Sequence, residues 1–296
     1  MNPARGKRTP FRFRPRRPSP KQGGSRSGKL IRRPAVAGVL YPDERGPLEA
    51  QVDRWVERGA KPEPAAATLV PHGSYASCGA VIGAVCARIS WPETVVLVGP
   101  NHTGEGQPYG IAARGAWQTP LGELPVDEEL ARAILRRAKE LKRDAHCHAR
   151  EHALELLLPF LQRSRKVRRI VPIAIAPADI GPAQRIGEAV AEEILRRRGE
   201  VHLVGSVNLT RYEPLEAAQA KDPAALERIL ALDGSGLAEL ASERPLSMCG
   251  VGAAAAVMAA ARRLGASKGR LVRYQTTAET GGEALSVAGF AGIVFQ

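Results

Sequence analysis

The amino-acid sequence predicts an α/β fold in which helices cover both faces of a central sheet. Short runs of apolar, mostly β-branched residues recur along the chain, as expected for strands that are buried on both faces. Longer segments with apolar residues at helical spacing separate these runs. Strands that alternate with helices over about 260 residues are typical of layered α/β proteins.

The predicted strands are short apolar segments that end at Gly, Pro or polar residues. They lie at residues 67–70, 94–98, 117–124 (a strand pair that turns at Gly122), 170–175, 201–204, 271–276 and 286–295. The run 94–98 is the clearest, because it continues directly into Gly99-Pro100, a pair that favours a turn.

The predicted helices carry their apolar residues on one face and begin at recognisable caps. They lie at residues 47–58, 79–89, 127–140, 151–161, 182–198, 223–232, 235–243 and 251–264. Asp127 is a favourable N-cap for the third helix. The fourth places Glu151 and His152 in its first turn, and Pro159 requires it to kink or end nearby.

The first 30 residues differ in composition from the rest of the chain. They are rich in Arg, Pro, Gly and Ser and have no apolar periodicity, so residues 1–30 are expected to form a disordered basic tail. Residues 31–296 are expected to form one α/β domain. The composition leaves three interpretations of the tail open: a plain solvated extension, a targeting peptide, or a basic arm that binds nucleic acid or anionic surfaces.

The positive charge of the protein is concentrated in this tail and the three residues that follow it. The formal net charge is +13, and residues 1–33 hold 12 Lys and Arg residues and no acid. Subtracting these charges leaves about +1 for the remainder, too little to predict a nucleic-acid-binding domain. Nucleic acid is therefore an expected partner only through the tail.

Cysteine spacing and hydropathy indicate in which cellular compartment the protein is expected. The four cysteines are far apart, form no CxxC pair and follow no secretory leader, which argues against a disulfide framework. No apolar run approaches the roughly 20 residues that a membrane span needs. We therefore expect a cytoplasmic protein that does not insert into a membrane.

Two of the predicted strands end at a histidine. His72 follows strand 67–70, and His102 follows strand 94–98. Because ligands of open α/β sheets bind outside the carboxyl ends of the strands, two imidazoles delivered there by neighbouring strands can converge. The alternative is that each histidine is a turn residue that hydrogen-bonds to the backbone.

A third candidate ligand precedes the last predicted helix. Cys249 lies at the N-terminus of helix 251–264, where the positive end of the helix favours the thiolate that binds metals. With His72 and His102 it forms a donor set suited to Fe(II), Zn(II) or copper. His146 and His148 are interpreted as one solvated and one buried histidine, although His148 and His152 also have a ligand-like spacing of one helical turn.

Seven motifs occur in order along the chain and together resemble the MEMO family, whose prokaryotic members are called AmmeMemoRadiSam system protein B. They are residues 33–38 with Tyr41-Pro42, 70–79, 99–104, 117–122, 151–155 with 158–161, 247–250 and 289–295. The resemblance runs from about Arg33 to Gln296 and is specific, since chance does not order seven motifs in this way.

The resemblance implies a three-layer α/β/α fold with a central mixed sheet, similar to the class III extradiol dioxygenases, which are non-haem iron enzymes. It also implies a metal site of two histidines and a cysteine, which match His72, His102 and Cys249, with iron or copper as the cofactor or with none retained. The partners that it suggests are a radical-SAM protein and an AMMECR1-like protein.

One family motif is changed in this chain. The family has an Asp-x-x-His stretch near the metal, and here the stretch reads Asn208-Leu-Thr-Arg211. An amide and a guanidinium cannot act as general bases near neutral pH. Arg211 is instead suited to bind an anionic ligand or a carboxylate such as Glu151.

Two functions of different classes therefore remain open. In the first, the protein is a metal-dependent oxidase or dioxygenase-like enzyme of unknown substrate, with His152 and Glu151 as the acid/base or supporting groups. In the second, it is a non-catalytic binding or adaptor protein that uses the same pocket, with Asn208, Arg211 and Tyr75, for a small molecule, a peptide, an anion or a partner protein.

Overall fold

The computed structural model describes residues 30–176, 180–243 and 246–296. Its strands are β1 (Ile31–Arg32), β2 (Ala67–Val70), β3 (Thr94–Pro100), β4 (Tyr109–Ile111), β5 (Ala116–Thr119), β6 (Gly122–Pro125), β7 (Lys142–Arg143), β8 (Arg169–Ile175), β9 (Val201–Ser206), β10 (Arg211–Glu213), β11 (Gly269–Thr276) and β12 (Val287–Phe295). Its helices are α1 (Arg45–Trp55), α2 (Tyr75–Cys86), α3 (Glu128–Arg137), α4 (His146–Ala149), α5 (Leu158–Arg163), α6 (Ile180–Arg196), α7 (Leu215–Leu230), α8 (Gly234–Glu243) and α9 (Val251–Arg263).

A mixed sheet of nine strands forms the middle layer of the fold. Its central strands run parallel in the order β2-β9-β3-β8, and the antiparallel strands β12 and β4 flank them on either side. Strands β3 and β9 are buried along their whole length, which explains their largely apolar sequences, and the two polar side chains of β9, His202 and Ser206, are buried with them. A separate three-stranded sheet joins β1 to the hairpin of β5 and β6.

Helices cover both faces of this sheet, as the sequence predicts. On one face α9 packs on β2, β3, β8 and β9 and is itself covered by α6 and α8. On the other face α2 packs on β2, β11 and β12, with α1 and α5 behind it. The α6–α9 crossing is close: a Cβ on Gly187 would lie 1.9 Å from the carbonyl oxygen of Ala256. The three-layer α/β/α prediction is confirmed.

Most predicted elements occur within a few residues of their expected bounds, and the Asp127 cap is present, its side chain accepting a hydrogen bond from the Leu130 amide. The prediction of a helix over 223–232 is too short. Helix α7 begins at Leu215 and contains Pro223 in its interior. Proline removes one helical hydrogen bond, and the burial of the apolar face of α7 outweighs this loss.

The predicted helix over 151–161 is wrong in its first half. Glu151 and His152 lie in a loop, followed by a 3₁₀ turn over Glu155–Leu157 and by the short helix α5. Pro159 occupies the first turn of α5, where its missing N–H costs nothing. The Glu151 carboxylate accepts hydrogen bonds from the backbone amides of residues 152 and 153. The side chain of Glu151 thus satisfies these two amides in a loop conformation.

The predicted tail of residues 1–30 falls almost wholly outside the described residues, which begin at Leu30. In the part of the chain that the structure describes, the helices are too short or too polar to cross a lipid bilayer.

Candidate metal site

The carboxyl ends of three parallel strands build one site. Strand β2 leads to His72, strand β3 leads to His102, and strand β9 ends at Ser206 between them. The two histidine strands are therefore not neighbours, as the sequence had suggested, but flank β9. Their imidazole rings nevertheless meet, with 5.0 Å between ring centroids, because all three strands end at the same edge of the sheet.

His72 is held on every side by short polar contacts. Its backbone N–H donates to Oδ1 of Asn208 over 2.9 Å, and its carbonyl accepts from Nδ2 of the same amide over 2.7 Å. Its ring Nδ1 lies 3.0 Å from Oγ of Ser206, and Nε2 lies 3.2 Å from Sγ of Cys249. The ring is buried, so these contacts fix its orientation.

Cys249 reaches the site from the segment before α9. Its backbone pairs with that of Asn208 in an isolated antiparallel bridge, and its thiol accepts a hydrogen bond from the Asn208 amide over 3.3 Å. Gly250 caps α9 with φ of 76°, a left-handed conformation that glycine adopts without strain. This turn starts the helix directly after the cysteine and leaves the thiol beside His72.

Glu151 orients His102. One carboxylate oxygen accepts from the His102 backbone amide, and the other lies 2.9 Å from ring Nδ1. The second oxygen also accepts from the amides of His152 and Ala153. A buried carboxylate with four such contacts fixes the histidine ring, so Glu151 acts as a positioning residue.

His152 adds a third imidazole that the predicted ligand set did not include. Its ring stacks on His102 with 4.9 Å between centroids and meets His72 edge-on at 5.6 Å. One ring nitrogen from each of the three histidines lies within 4.8 Å of the others, a geometry able to hold a metal ion. The His102 and His152 side chains are 18% and 30% exposed, so the site opens to solvent on their side.

The surroundings of the three histidines shift their pKa values in different directions. Burial, the neighbouring histidines and Arg211 hold the pKa of His72 well below its ordinary value. Burial also lowers the pKa of His152, although Glu151 opposes the effect. Burial acts against the charged form of His102, but the Cys249 and Glu151 side chains outweigh it and raise the pKa to about 9. Two of the three imidazoles are therefore neutral near pH 7.

The pKa of Glu151 moves in the opposite direction. Burial alone would raise it, yet the hydrogen bonds and charges of His102 and the neighbouring amides lower it to about 2. Glu151 is ionised over the whole ordinary pH range and cannot take up a proton as a general base does.

The remaining predicted pocket residues differ in their placement. Asn208 lies in the site as the clamp on His72, and the charge of Arg211 acts on both His72 and His152. Tyr75 is a correction to the expected pocket. It is fully buried, its hydroxyl donates to the Leu156 carbonyl, and its ring packs against Tyr41 and Phe160 in the core.

The two histidines before the loop stay out of the cluster. His146 is exposed, and His148 is buried edge-on against Trp117, so the interpretation of one solvated and one buried histidine describes them. Ser206 is a site residue that sequence reasoning missed. Its only sequence signal is its place at the end of a buried strand, and the strand order that brings it to His72 is a tertiary feature.

The chain was compared with known proteins. A family model described as "Memo-like protein" matches residues 32–294. The MEMO1 family protein MK0963 of Methanopyrus kandleri is 39% identical over 285 residues, covering 90% of this chain and 99% of that protein. A MEMO1 family protein of Aquifex aeolicus is 35% identical over 268 residues, covering 90% and 99% respectively.

One solved structure shares the fold. The crystal structure of uncharacterized protein JW3007 from Escherichia coli K12 superposes with a TM-score of 0.52 at 15% identity and covers 76% of this chain and 98% of that one. This likeness concerns the fold alone. The family model and the relatives together establish that the chain belongs to the Memo family.

Proposed function

We propose that the protein holds one non-haem metal ion, iron or copper, through His72, His102 and Cys249, and that this ion serves a redox reaction on a small substrate. One observation carries the proposal: Nε2 of His102, in a ring of the three-histidine cluster, is buried and has no hydrogen-bond partner among the described residues. A buried nitrogen without a partner costs free energy, and a metal ion would satisfy it.

The hydrogen bonds also set the tautomers that a metal requires. Ser206 Oγ donates to the Ala153 carbonyl over 3.1 Å, so it accepts the proton of His72 Nδ1 and leaves a lone pair on Nε2. The ionised Glu151 carboxylate likewise accepts from His102 Nδ1, which leaves Nε2 as the nitrogen for a metal, although a metal would have to displace the second proton that a pKa of about 9 keeps on this ring near pH 7. Both imidazoles thus have their Nε2 atoms directed to the site.

Two residues, Cys249 and His152, are candidates for the third metal ligand. The buried Cys249 thiol lies 3.2 Å from Nε2 of His72, and the partly exposed His152 ring stacks on His102. We assign the cysteine, because two imidazoles and a thiolate suit iron and copper. His152 then remains as the group closest to solvent.

A bound redox metal would supply electron transfer and Lewis-acid activation of substrate. The residues of the site would bind the metal and orient the substrate, and few of them can transfer a proton. Asn208 is committed to the His72 backbone and Arg211 stays protonated, so neither replaces the family's acid/base pair. Of the three clustered imidazoles, His152 combines a pKa below its ordinary value with the greatest exposure, which suits it to exchange a proton with a substrate.

A non-catalytic binding or adaptor protein is the second candidate. The observation that favours it is the same replacement of the acid/base pair by Asn208 and Arg211, which keeps the ligand set and removes the base. Under this alternative the pocket binds a small molecule, a peptide or a partner such as the radical-SAM and AMMECR1-like proteins without turnover.

Metal analysis of protein purified anaerobically from its native host tests the proposal. We expect about one iron or copper per wild-type chain, and its loss in Cys249→Ala and in His102→Ala, because a mononuclear site loses affinity with each ligand. Cys86→Ala is the matched control, since Cys86 is a buried free cysteine on α2. Full metal content in Cys249→Ala would reject the cysteine ligand and favour His152.

A further inference from the structure

We propose that a second site, separate from the histidine cluster, binds a small molecule that carries two or more linked phosphate groups. The site is a cavity of about 650 Å³ between the C-terminal end of α1, helix α2 and strand β11. This volume lies within the range of small-molecule pockets, roughly 300–1,000 Å³. None of the described residues that line the cavity belongs to the histidine cluster, so the inference is independent of the proposed metal site.

The wall of the cavity that α1 forms is packed closely against α2. A Cβ on Gly83 would lie 2.1 Å from the carbonyl oxygen of Trp55, and a Cβ on Gly79 would lie 2.5 Å from the Trp55 ring. Glycine permits this approach because it has no side chain. The backbone at Trp55, which lines the cavity, is therefore held in place relative to α2.

Three arginines line the cavity and keep their full positive charge. They are Arg54, Arg58 and Arg273, and none of them forms an ion pair with an acid among the described residues. The guanidinium carbon of Arg54 lies 5.3 Å from the centroid of the Trp55 ring. The guanidinium of Arg273 donates to the neutral amide of Gln275 over 3.1 Å. Neither contact offsets the charge of the arginine that makes it.

The two acids of the lining are already paired with arginines from outside it. Asp53 accepts hydrogen bonds from two nitrogens of Arg163, and Glu57 accepts one from Arg88 over 2.6 Å. Both of these partner arginines lie outside the described lining. Three positive charges therefore remain in excess, against a partial negative charge of about half a unit at the C-terminus of α1.

The number and the placement of the arginines indicate the ligand class. A guanidinium binds phosphate oxygens through two parallel N–H groups and stays protonated at any ordinary pH. Arg54 and Arg58 reach the cavity from the end of α1, and Arg273 reaches it from β11. Linked phosphates present oxygens at both ends and carry several negative charges, so one ligand can engage arginines on both sides of the cavity. A single phosphate offers less charge and a shorter reach.

Pyrophosphate is the probe, and orthophosphate and citrate are the comparison ligands. The basic segment of residues 1–33 also attracts polyanions, so the readout must be local to the cavity. The indole N–H resonance of Trp55 in isotope-labelled full-length protein is such a readout, because the Trp55 ring lines the cavity and contacts Arg54. The chain has three tryptophans, and Trp55→Phe identifies the resonance by its loss.

We expect pyrophosphate to shift the Trp55 resonance saturably at about 0.15 M salt, where charges more than roughly 8 Å apart are largely screened. The resonances of Trp91 and Trp117, which lie outside the cavity lining, should not move. Orthophosphate and citrate should bind at least about 10-fold more weakly, because each loses at least one charge-assisted hydrogen bond.

Arg273→Met should weaken pyrophosphate binding by about 10- to 100-fold, the loss typical of a hydrogen bond to a charged group. Arg273→Lys should fall between this variant and the wild type, since it keeps the charge and loses the fork. The matched control is Arg132→Met, which removes an exposed arginine from α3 and should leave binding unchanged. The resonances of Trp91 and Trp117 report in every variant whether the fold is retained.

Equal pyrophosphate affinity of the wild type and Arg273→Met would overturn the inference. A Trp55 resonance that stays in place while pyrophosphate binds would also overturn it and would assign the binding to the basic segment of residues 1–33. Citrate binding as tight as that of pyrophosphate would reject linked phosphates as the ligand class.

Discussion

Two buried glutamates four residues apart serve different parts of this molecule. Glu151 lies in the loop before the 3₁₀ turn and Glu155 is the first residue of that turn, and each is no more than 1% exposed. The partners of Glu151 are His102 and the loop amides, all at the candidate site. The partners of Glu155 belong to the chain segment that precedes α1. Burial alone therefore does not distinguish a glutamate that organises a site from one that organises the fold.

Glu155 joins the start of the described chain to the loop. Its carboxylate forms an ion pair with Arg32 and accepts hydrogen bonds from the amides of Ala35 and Val36 and from the Tyr41 hydroxyl. Arg32 also donates to the Glu151 and His148 carbonyls and lies over the ring of Trp117. Arg32 thus contacts both glutamates, the carbonyl of Glu151 and the carboxylate of Glu155. Substitutions can distinguish the role of Glu151 in the site from the role of Glu155 in stability.

The largest expected effect is on stability, from Glu155→Leu. The change leaves Arg32, whose side chain is 9% exposed, buried without its counterion. Breaking a buried pair from one side costs about 3–5 kcal/mol, so the free energy of unfolding of chelator-stripped protein should fall by this amount. Urea denaturation measures it.

The double variant Arg32→Met with Glu155→Leu is the control. It should recover part of the loss, because no unpaired charge remains. A decrease below about 1 kcal/mol in the single variant would show that the pair does not stabilise the fold.

The second effect separates the two glutamates by metal affinity. Glu151→Gln places an amide group against donors that need an acceptor and frees the His102 ring to turn. We expect metal affinity to fall by about 10- to 100-fold, as for other groups that orient a ligand. Competition with a chromogenic chelator measures it.

Glu155→Gln is the matched variant at the other glutamate. It should lower the free energy of unfolding and leave the metal affinity of the folded protein nearly unchanged. If both variants lose affinity equally, the functional distinction between the two residues fails.

A smaller effect is the pH dependence of the Glu151–His102 pair. The pKa of Glu151 is lowered to about 2, so its contribution to stability is complete above the unfolded value of about 4.3 and declines as the pH falls towards 2. The pKa of His102 is raised to about 9, so its contribution is complete below the unfolded value of about 6.5 and declines as the pH rises through 9.

In chelator-stripped protein, the difference in unfolding free energy between wild type and Glu151→Gln should therefore be greatest between about pH 4.3 and 6.5. It should shrink on both sides of that window. Chemical denaturation at a series of pH values measures the difference. A difference that does not vary with pH would show that the pair contributes no charge interaction.

The smallest expected effect is on oxygen chemistry, for which neither glutamate supplies a base. Wild-type protein loaded with Fe(II) should consume no oxygen with catechol, because Asn208 and Arg211 replace the family's proton-transfer pair and a positioned base contributes about 10²- to 10⁴-fold. Asn208→Asp with Arg211→His should give a trace of turnover. An oxygen electrode measures both, and turnover by the wild type at ordinary enzyme rates would make His152 the base.

The sequence alone determined the layered fold and the chemistry of the strand ends. Continuous apolar runs specify strands buried on both faces, and a run that stops at a Gly or Pro turn shows which residue is delivered at its end. His72 and His102 were found in this way, and Cys249 followed from its place before an apolar helix. These features are local in the chain, so periodicity and turn chemistry are sufficient to reveal them.

The tertiary structure decided which of these residues meet. Strand order placed β9 between the two histidine strands and brought Ser206 to His72, although 134 residues separate them. Contacts with the sheet edge, rather than helix propensity, determine the path of the loop that stacks His152 on His102. Packing in the core also decides that Tyr75 is fully buried and does not line the pocket. Contacts between distant segments depend on loop closure and packing over the whole chain, and these are not encoded in any local pattern.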